Sequence, residues 1–267
     1  MARTRLKRRL ALLGRLGRPA GATLLIYHRI GAATTDELEV RVDQFCEQMD
    51  ALGESASEVV ALDAALDRLA AGDRRPAAVL TFDDGFADVY DVAWPLLSER
   101  GWPFTVYVAS AYVGGDMAWE GATGDSSGRG LTWGQLAEMS ASGLCTVANH
   151  THSHCLPERL TAAELDRCSD TIEAHVGARP RHFAFPWGVD VTAMRGEIAA
   201  RFRSAATGRV GRNSRGADPL ALRRVPVRRS DPIEFFRAKV DGGLLPERTY
   251  GAAVAAAKAF RKARGRG

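Results

Sequence analysis

Two kinds of apolar spacing alternate along the chain. Mainly apolar runs, which are typical of strands covered on both faces, predict strands at 23–28, 77–82, 104–109, 144–149, 182–185, 204–206 and 224–227. Between these runs apolar residues recur every three or four positions, which predicts helices at 38–54, 62–69, 89–97, 132–143, 161–176, 194–202 and 250–263. Strands and helices therefore alternate about seven times, and this order predicts one α/β domain with a parallel sheet.

The composition is that of a globular protein. The chain has 267 residues, of which 46% are hydrophobic and 25% are charged. No apolar run approaches the roughly 18 residues of a membrane-spanning helix. The run 10–13 is also shorter than the roughly seven residues of a secretory signal. The four cysteines show no CxxC spacing and form no disulfide framework. We therefore expect a cytoplasmic protein.

Charge is unevenly distributed. Residues 1–35 and 248–267 carry 14 Lys or Arg and no acidic residue, so a net charge of +4 leaves residues 36–247 at −10. Basic ends of this kind favour peripheral contact with an anionic membrane surface, although two solvated termini would give the same pattern. The ends lack interleaved aromatic residues, so we do not expect a nucleic-acid partner.

Two adjacent carboxylates, Asp83 and Asp84, follow the apolar run 77–82 and precede Gly85. Active sites gather at the carboxyl ends of parallel strands. Neighbouring carboxylates repel each other, so a nearby cation keeps both ionised. A metal that binds one of them leaves the other available as a base. Taken alone, the same residues are also typical of a solvated turn.

Three histidines, His150, His152 and His154, follow the run 144–149. His150 and His154 are four residues apart and can face one cation from a tight loop, whereas His150 with His152 would suit an extended backbone. Two imidazole nitrogens and one carboxylate oxygen form the open, three-ligand site that is typical of catalytic Zn²⁺. The pattern therefore predicts a divalent metal, with Zn²⁺ as the preferred ion.

The motifs carry a family resemblance. Thr81-Phe82-Asp83-Asp84-Gly85, His150-Thr151-x-x-His154 and Phe183-Ala184-Phe185-Pro186-Trp187-Gly188 resemble the first three motifs of the NodB-homology polysaccharide deacetylases, a carbohydrate esterase family. The resemblance extends over about 22–230. It implies a deformed (β/α) barrel of about seven parallel strands, with the motifs at the strands' carboxyl ends. It also divides the chain into a basic arm (1–21), a deacetylase domain (22–247) and a basic helical tail (248–267).

The same resemblance implies a set of roles. Asp83 would be the general base, Asp84, His150 and His154 the metal ligands, and Pro186 and Trp187 the walls of a sugar groove. The implied reaction is hydrolysis of an N-acetyl group on an amino sugar. Tyr107, or a backbone N–H near Gly85, would share the oxyanion that forms. His28 closes the first strand at the same end and is a further candidate for the site.

Two departures from the family pattern stand out. Many members have an arginine two residues before the third-motif proline, where this chain has Ala184, and Arg181 lies five before. Many also have a late Leu-x-His whose histidine acts as general acid, but no histidine follows His182 here. The segment 222–227 occupies the corresponding late strand. The remaining candidates for the acid are His28, His152 and His182.

The substrate is therefore expected to be an N-acetylated amino-sugar glycan, or a lipid-linked or small glycoconjugate. Two other interpretations stay open. The chain could be a sugar-binding or regulatory module with little turnover, since the late histidine is absent. It could also be a metallohydrolase that acts on another non-peptide amide. The glycine-rich segment 114–130 is a long loop that would cover the groove in either case.

Overall fold

Seven parallel strands hydrogen-bond side by side into a closed ring. The computed structural model describes residues 2–17, 19–31, 34–122 and 128–264. In spatial order the ring contains β1 (Ala22–Tyr27), β5 (Ala77–Phe82), β6 (Phe104–Val108), β7 (Cys145–Asn149), β8 (His182–Ala184), β9 (Ser204–Val210) and β10 (Leu222–Pro226). The predicted barrel of seven parallel strands is confirmed.

The ring closes through β1. This strand pairs with β5 along its whole length, from Ala22 opposite Ala77 to Tyr27 opposite Phe82, and its other edge pairs with β10. Three short strands lie outside the ring: β4 (Glu58–Val59) extends the start of β5, while β2 (Arg29–Ile30) pairs with β3 (Glu39–Val40). Every residue of β1 and β5 is buried, as expected for strands covered on both faces.

The helices pack around the ring. They are α1 (Ala2–Ala11), α2 (Val42–Gly53), α3 (Leu62–Ala70), α4 (Trp94–Glu99), α5 (Trp133–Ala141), α6 (Ala162–Val176), α7 (Arg195–Arg201), α8 (Ile233–Asp241) and α9 (Leu245–Arg264). The Thr132–Gln135 capping box predicted for α5 is present. The apolar pattern predicted neither α1 nor α8. Among the described residues, no helix combines the length and the apolar character needed to cross a bilayer.

Small side chains fill the inside of the ring. Ala148, Ala184 and Ala206 form a buried cluster with Tyr107 and with alternate residues of β1 and β5. Alternate residues of a barrel strand point inward, so side-chain size decides how much of the lumen stays open. The alanines leave room for Tyr107 and for the long side chain of Arg224, which lies on β10.

The terminal helices belong to the packed structure. Helix α1 packs against α8 and α9, and its Lys7 side chain is fully buried. The predicted basic arm therefore contains at least one cation that does not face solvent. Parts of the predicted arm, loop and tail, namely residues 1 and 18 and the ranges 123–127 and 265–267, lie outside the described residues.

Candidate active site

A cavity of about 450 Å³ opens at the carboxyl ends of the ring strands. Its lining includes Asp83, Asp84, His150, His154, Trp119 and Trp187. The two predicted motifs, one after β5 and one after β7, thus meet in a single space. The strand ends bring them together, although 65 residues separate Asp84 from the second motif in sequence.

Asp84, His150 and His154 form a compact donor set. One donor atom from each lies within 4.8 Å of the other two, and all three residues are buried. Both Nε2 atoms lie 3.3 Å from Oδ1 of Asp84. His152 is outside this set, because its Nδ1 is hydrogen-bonded to the Ser110 hydroxyl at 2.9 Å. The geometry therefore favours the pairing of His150 with His154 over that of His150 with His152.

Unusual backbone conformations aim these side chains. Asp84, Thr151 and His154 have φ angles of 73°, 66° and 49°, in the left-handed region that non-glycine residues rarely adopt. The Asn149 carboxamide oxygen accepts the Thr151 N–H at 2.8 Å and supports the turn between the two histidines. Each such residue costs on the order of 1 kcal/mol or more, and the surrounding contacts sustain that cost.

The donor set fits a divalent cation. Nδ1 of His150 donates to the Ala184 carbonyl at 2.8 Å, which leaves Nε2 to face Asp84. Without a proton or a metal ion there, a nitrogen lone pair would face a carboxylate oxygen. Burial opposes the charged form of His150, but the bond to Asp84 and the charge of Asp83 raise its pKa. Burial lowers the pKa of His154, so the two rings do not readily hold two protons together. One cation shared by the three side chains satisfies them all.

Asp83 is held by Arg224. The guanidinium donates to both carboxylate oxygens, at 2.6 and 2.8 Å, and its Nε donates to the Thr207 carbonyl at 3.1 Å. Both side chains are almost fully buried. Burial alone would raise the pKa of Asp83, but Arg224 and His150 outweigh burial and lower it. Asp83 is thus an ionised carboxylate beside the donor set of Asp84, His150 and His154.

Sequence reasoning missed Arg224. It lies on β10, in the late segment where the family resemblance called for a Leu-x-His histidine. In the sequence, the feature that could have indicated Arg224 is its position between the apolar residues Leu222 and Val225 of a predicted strand. Both of these neighbours are buried in the structure. A charge at a buried strand position requires a partner, and Asp83 is that partner.

Comparison with known proteins agrees with the motifs. The family model described as polysaccharide deacetylase matches residues 70–201, which run from α3 to α7 and include both the Asp-Asp and the histidine motifs. Over this segment, which is just under half of the chain, the protein is similar to the NodB-type polysaccharide deacetylases.

Individual relatives cover different shares of the chain. The putative polysaccharide deacetylase YxkH of Bacillus subtilis is 26% identical over 140 residues, which are 51% of this chain and 44% of that protein. The match thus spans less than half of that relative's length. The structure of IcaB from Ammonifex degensii is 29% identical, with a TM-score of 0.71 over 83% of this chain and 97% of that one. The deacetylase PplD of Streptococcus pyogenes shares the fold, with a TM-score of 0.69, 20% identity and coverage of 84% and 99%.

Two tryptophans form walls of the cavity. The indole of Trp119 lies 4.3 Å from the His154 ring and that of Trp187 lies 5.1 Å from it, measured between ring centroids. Trp187 is 42% exposed and has a φ of 63°, and the buried Pro186 begins its turn. A Cβ on Gly188 would lie 2.7 Å from the Gly208 backbone, so this close contact fixes the turn against β9.

The remaining predicted residues are distributed over both ends of the barrel. His28 lines the cavity, and its Nδ1 is buried without a hydrogen-bond partner. Tyr107 lies beneath the site, 6.4 Å from the His150 ring, and its hydroxyl is buried without a partner. Arg181 and His182 do not line the cavity, because they stand at the start of β8 and contact Asp63. This position does not support the interpretation of Arg181 as the residue that orients the base, or of His182 as the general acid.

Proposed function

We propose that this protein is a metal-dependent hydrolase that removes N-acetyl groups from an amino-sugar glycan or glycoconjugate. The observation that carries the proposal is the Asp83–Arg224 ion pair next to the Asp84, His150 and His154 donor set. One carboxylate is kept ionised by an arginine while its neighbour faces two imidazoles. This division matches the requirement for one base and one set of metal ligands.

Asp84, His150 and His154 would hold the cation, with Zn²⁺ as the preferred ion. A bound divalent cation would polarise the acetyl carbonyl and lower the pKa of an attacking water. Asp83 accepts the proton of that water, and Arg224 keeps the carboxylate pointed into the cavity. Because Arg224 holds both oxygens, the proton must be taken by a lone pair that the guanidinium leaves open.

Cleavage of the amide C–N bond releases acetate and an amine, and the leaving nitrogen needs a proton. The position of His28 makes it the candidate for the proton donor. It follows β1, which pairs with β10 in the ring, and so it lies next to the strand that carries the late histidine in other family members. Tyr107 is a second candidate near the oxyanion, although its hydroxyl lies below the cavity lining.

Trp119 and Trp187 support a carbohydrate substrate. An indole face packs against the C–H face of a pyranose, and the two rings flank His154 on the side where the acetamido group would enter. Trp187 carries the exposed part of this wall. Acetate release from glycans of different composition and length would identify the substrate.

The decisive experiment measures acetate release from N-acetylated oligosaccharides, polymers and small N-acetyl glycosides. We expect turnover with the Zn²⁺-loaded protein, loss of turnover after chelation, and recovery when the metal is restored. His154→Ala should lose bound metal as well as activity, and His175→Ala, on the outer face of α6, is the matched control.

Sugar binding without acetate release would instead support a binding module. Release of acetate from non-sugar amides alone would support the other hydrolase interpretation.

We also propose that the protein works in the cytoplasm and contacts an anionic membrane peripherally, near a lipid-linked substrate. The four cysteines are free thiols, which fits a reducing compartment. Leu6 on α1 and Leu12, which begins the short 3₁₀ helix after α1, are exposed. They lie near Arg5, Arg8 and Arg9 in the chain, which are also exposed. Apolar side chains flanked by arginines are typical of helices that bind the surface of anionic bilayers.

Vesicle sedimentation tests this contact. We expect binding to vesicles that contain anionic lipid, weaker binding at high salt, and a loss when Leu6 and Leu12 are both replaced by Ser. Replacement of the exposed Leu245 by Ser is the control for nonspecific loss of apolar surface. Binding that ignores lipid charge and salt would contradict the proposal.

A further inference from the structure

A buried charge cluster stands behind one wall of the catalytic cavity. Lys7 of α1 and Lys239 of α8 each lie 2.6 Å from one oxygen of Asp231. Lys239 also lies 3.1 Å from Glu247 of α9, and the second Glu247 oxygen lies 2.6 Å from Nη1 of Arg228. The backbone N–H of Arg228 donates to Asp231 and closes the circuit. All five residues lie outside the segment 70–201 that the family model matches.

Arg228 connects the cluster to the cavity, and Glu37 approaches Lys7 through the Ser230 hydroxyl. Three cations, Lys7, Arg228 and Lys239, share two carboxylates, Asp231 and Glu247. The side chains of both lysines and both acids are at most 2% exposed, whereas that of Arg228 is 24% exposed and lines the cavity. Arg228 is therefore the member of the cluster that reaches the cavity. Only one edge of its guanidinium is used by Glu247, and the group has five N–H donors.

The strand geometry places Arg228 at the mouth of the cavity. Arg224, Pro226 and Arg228 all line it, which is the two-residue period of an extended chain. Arg224 reaches Asp83 at the floor, and four residues of extended chain carry Arg228 roughly 13 Å further outward. Pro226 is level with Ile26 of β1, so Arg228 is level with His28. Two carboxylates of the same wall are already engaged: Glu39 with Arg229, and Asp36 with the backbone N–H of Leu38.

We propose that Arg228 forms an anion subsite that binds a phosphate group attached to the amino sugar. This inference rests on the proposed deacetylase function for the position of the sugar, and it narrows the substrate class to sugar phosphates and their diesters. Arginine suits this role because its planar fork matches two phosphate oxygens. Glu247 accepts one N–H of the guanidinium and so orients it, and the other N–H donors are available to a ligand.

A binding experiment tests the subsite without turnover. Calorimetry would compare N-acetylglucosamine with its 1-phosphate for the wild-type protein, Arg228→Gln and Arg228→Lys. A charge-assisted contact predicts about tenfold tighter binding of the phosphate by the wild type. We expect Gln to abolish the difference and Lys to keep most of it. The control is Arg237→Gln, which removes an arginine that pairs with Glu54 outside this cavity.

An acetate-release experiment tests the same subsite in turnover. The ratio of kcat/KM for the 1-phosphate to kcat/KM for the neutral methyl glycoside should exceed unity in the wild type and fall to about one in Arg228→Gln. A decyl phosphodiester of the same sugar separates the sources of the phosphate. An Arg228-dependent gain with the diester identifies a lipid-linked substrate, and a gain with the monoester alone identifies a free sugar phosphate.

Two outcomes would overturn the inference. The first is equal weakening of neutral and phosphorylated ligands by Arg228→Gln, which would mean a general structural role. The second is a phosphate preference that survives in Arg228→Gln, which would mean that the donor set at the cavity floor binds the phosphate. If no substrate releases acetate while phosphate binding still depends on Arg228, the anion subsite stands and the proposed deacetylation fails.

Discussion

The two ends of the barrel each hold histidine next to carboxylate, but they use it differently. At the amino end, His182 is buried with Nδ1 against the Ser204 hydroxyl at 2.8 Å and Nε2 3.3 Å from Asp63. Asp63 is also paired with Arg181 and Arg203. At the carboxyl end, His150 and His154 converge on one oxygen of Asp84. The first arrangement satisfies every side chain from within the protein, whereas the second leaves a place for a cation.

Backbone conformation separates the two ends as well. Among the described residues, the non-glycine positions with positive φ are Asp84, Thr151, His154 and Trp187, and all of them belong to the cavity or its loops. The residues around His182 lie on regular strands. Buried histidine and carboxylate alone therefore do not indicate function. The combination of left-handed backbone and converging, unsatisfied donors does.

The largest difference between the two ends should appear in catalysis. Asp83→Asn removes the proposed base but keeps the shape of the side chain and a hydrogen-bond acceptor for Arg224. We expect acetate release to fall at least about a hundredfold with metal content unchanged. Asp63→Asn, the matched change at the amino end, should alter the rate less than about twofold. Loss of metal from the Asp83 variant would contradict the assignment and show that this carboxylate is a ligand.

Loss of an arginine should also affect the two ends differently. Arg224→Met leaves the buried Asp83 charge without a partner and should lower the free energy of unfolding by about 3–5 kcal/mol. Arg203→Met removes a partly exposed partner of Asp63 and Asp67 and should cost about 1 kcal/mol or less. Urea unfolding of both variants measures the contrast. Similar losses would mean that Asp83 is not held ionised by Arg224 alone.

Local pattern was sufficient to predict a parallel α/β sheet and the region of the site, whereas the barrel followed from the family resemblance. A continuous apolar run defines a strand, and the residues after it lie at the strand's carboxyl end. This reasoning placed Asp83, Asp84, His150 and His154 at one end of the ring, where the structure has them. It failed for His182, which is near the third motif in sequence. The strand β8 runs from His182 to Ala184, so His182 stands at its beginning, whereas Trp187 follows its end.

Arg224 could not be derived from local pattern, because its role depends on a long-range register. It faces Asp83 only because β1 pairs with β5 on one edge and with β10 on the other. The resemblance to other deacetylases suggested the third motif for the arginine, where the chain has Ala184. An alanine at that inward position leaves space in the lumen, and the arginine enters the same lumen from a different strand.

The amino-end histidine should make stability depend on pH. Burial lowers the pKa of His182 to about 4, against 6.5 for an exposed histidine. Between these values the unfolded chain binds a proton that the folded protein does not. The free energy of unfolding should therefore fall as the pH drops from 6.5 to 4, by about 3 kcal/mol from this group. His182→Asn should remove that part of the slope.

The comparison of wild type with His182→Asn isolates this group, since other histidines and carboxylates titrate in the same range in both proteins. Denaturant unfolding at several pH values between 4 and 8 measures it. Identical slopes would mean that His182 accepts a proton in the folded state. Acetate release at neutral pH should change little in this variant, because the residue lies at the end away from the cavity.

The smallest expected change in stability concerns Trp187, the strained and exposed wall of the cavity. Its left-handed backbone costs roughly 1–2 kcal/mol, and asparagine adopts that conformation more readily. Trp187→Asn should therefore recover about 1 kcal/mol of backbone strain while it loses the indole's partial packing on His154 and Gly121. We expect the unfolding free energy to stay within about 1 kcal/mol of wild type, and KM for a glycan to rise about tenfold from the lost stacking.

Trp94→Asn is the control, since Trp94 has helical backbone and packs against Phe104, and it should cost about 3 kcal/mol. A large loss of stability in Trp187→Asn, with KM unchanged, would make this tryptophan a packing residue and remove it from the sugar wall.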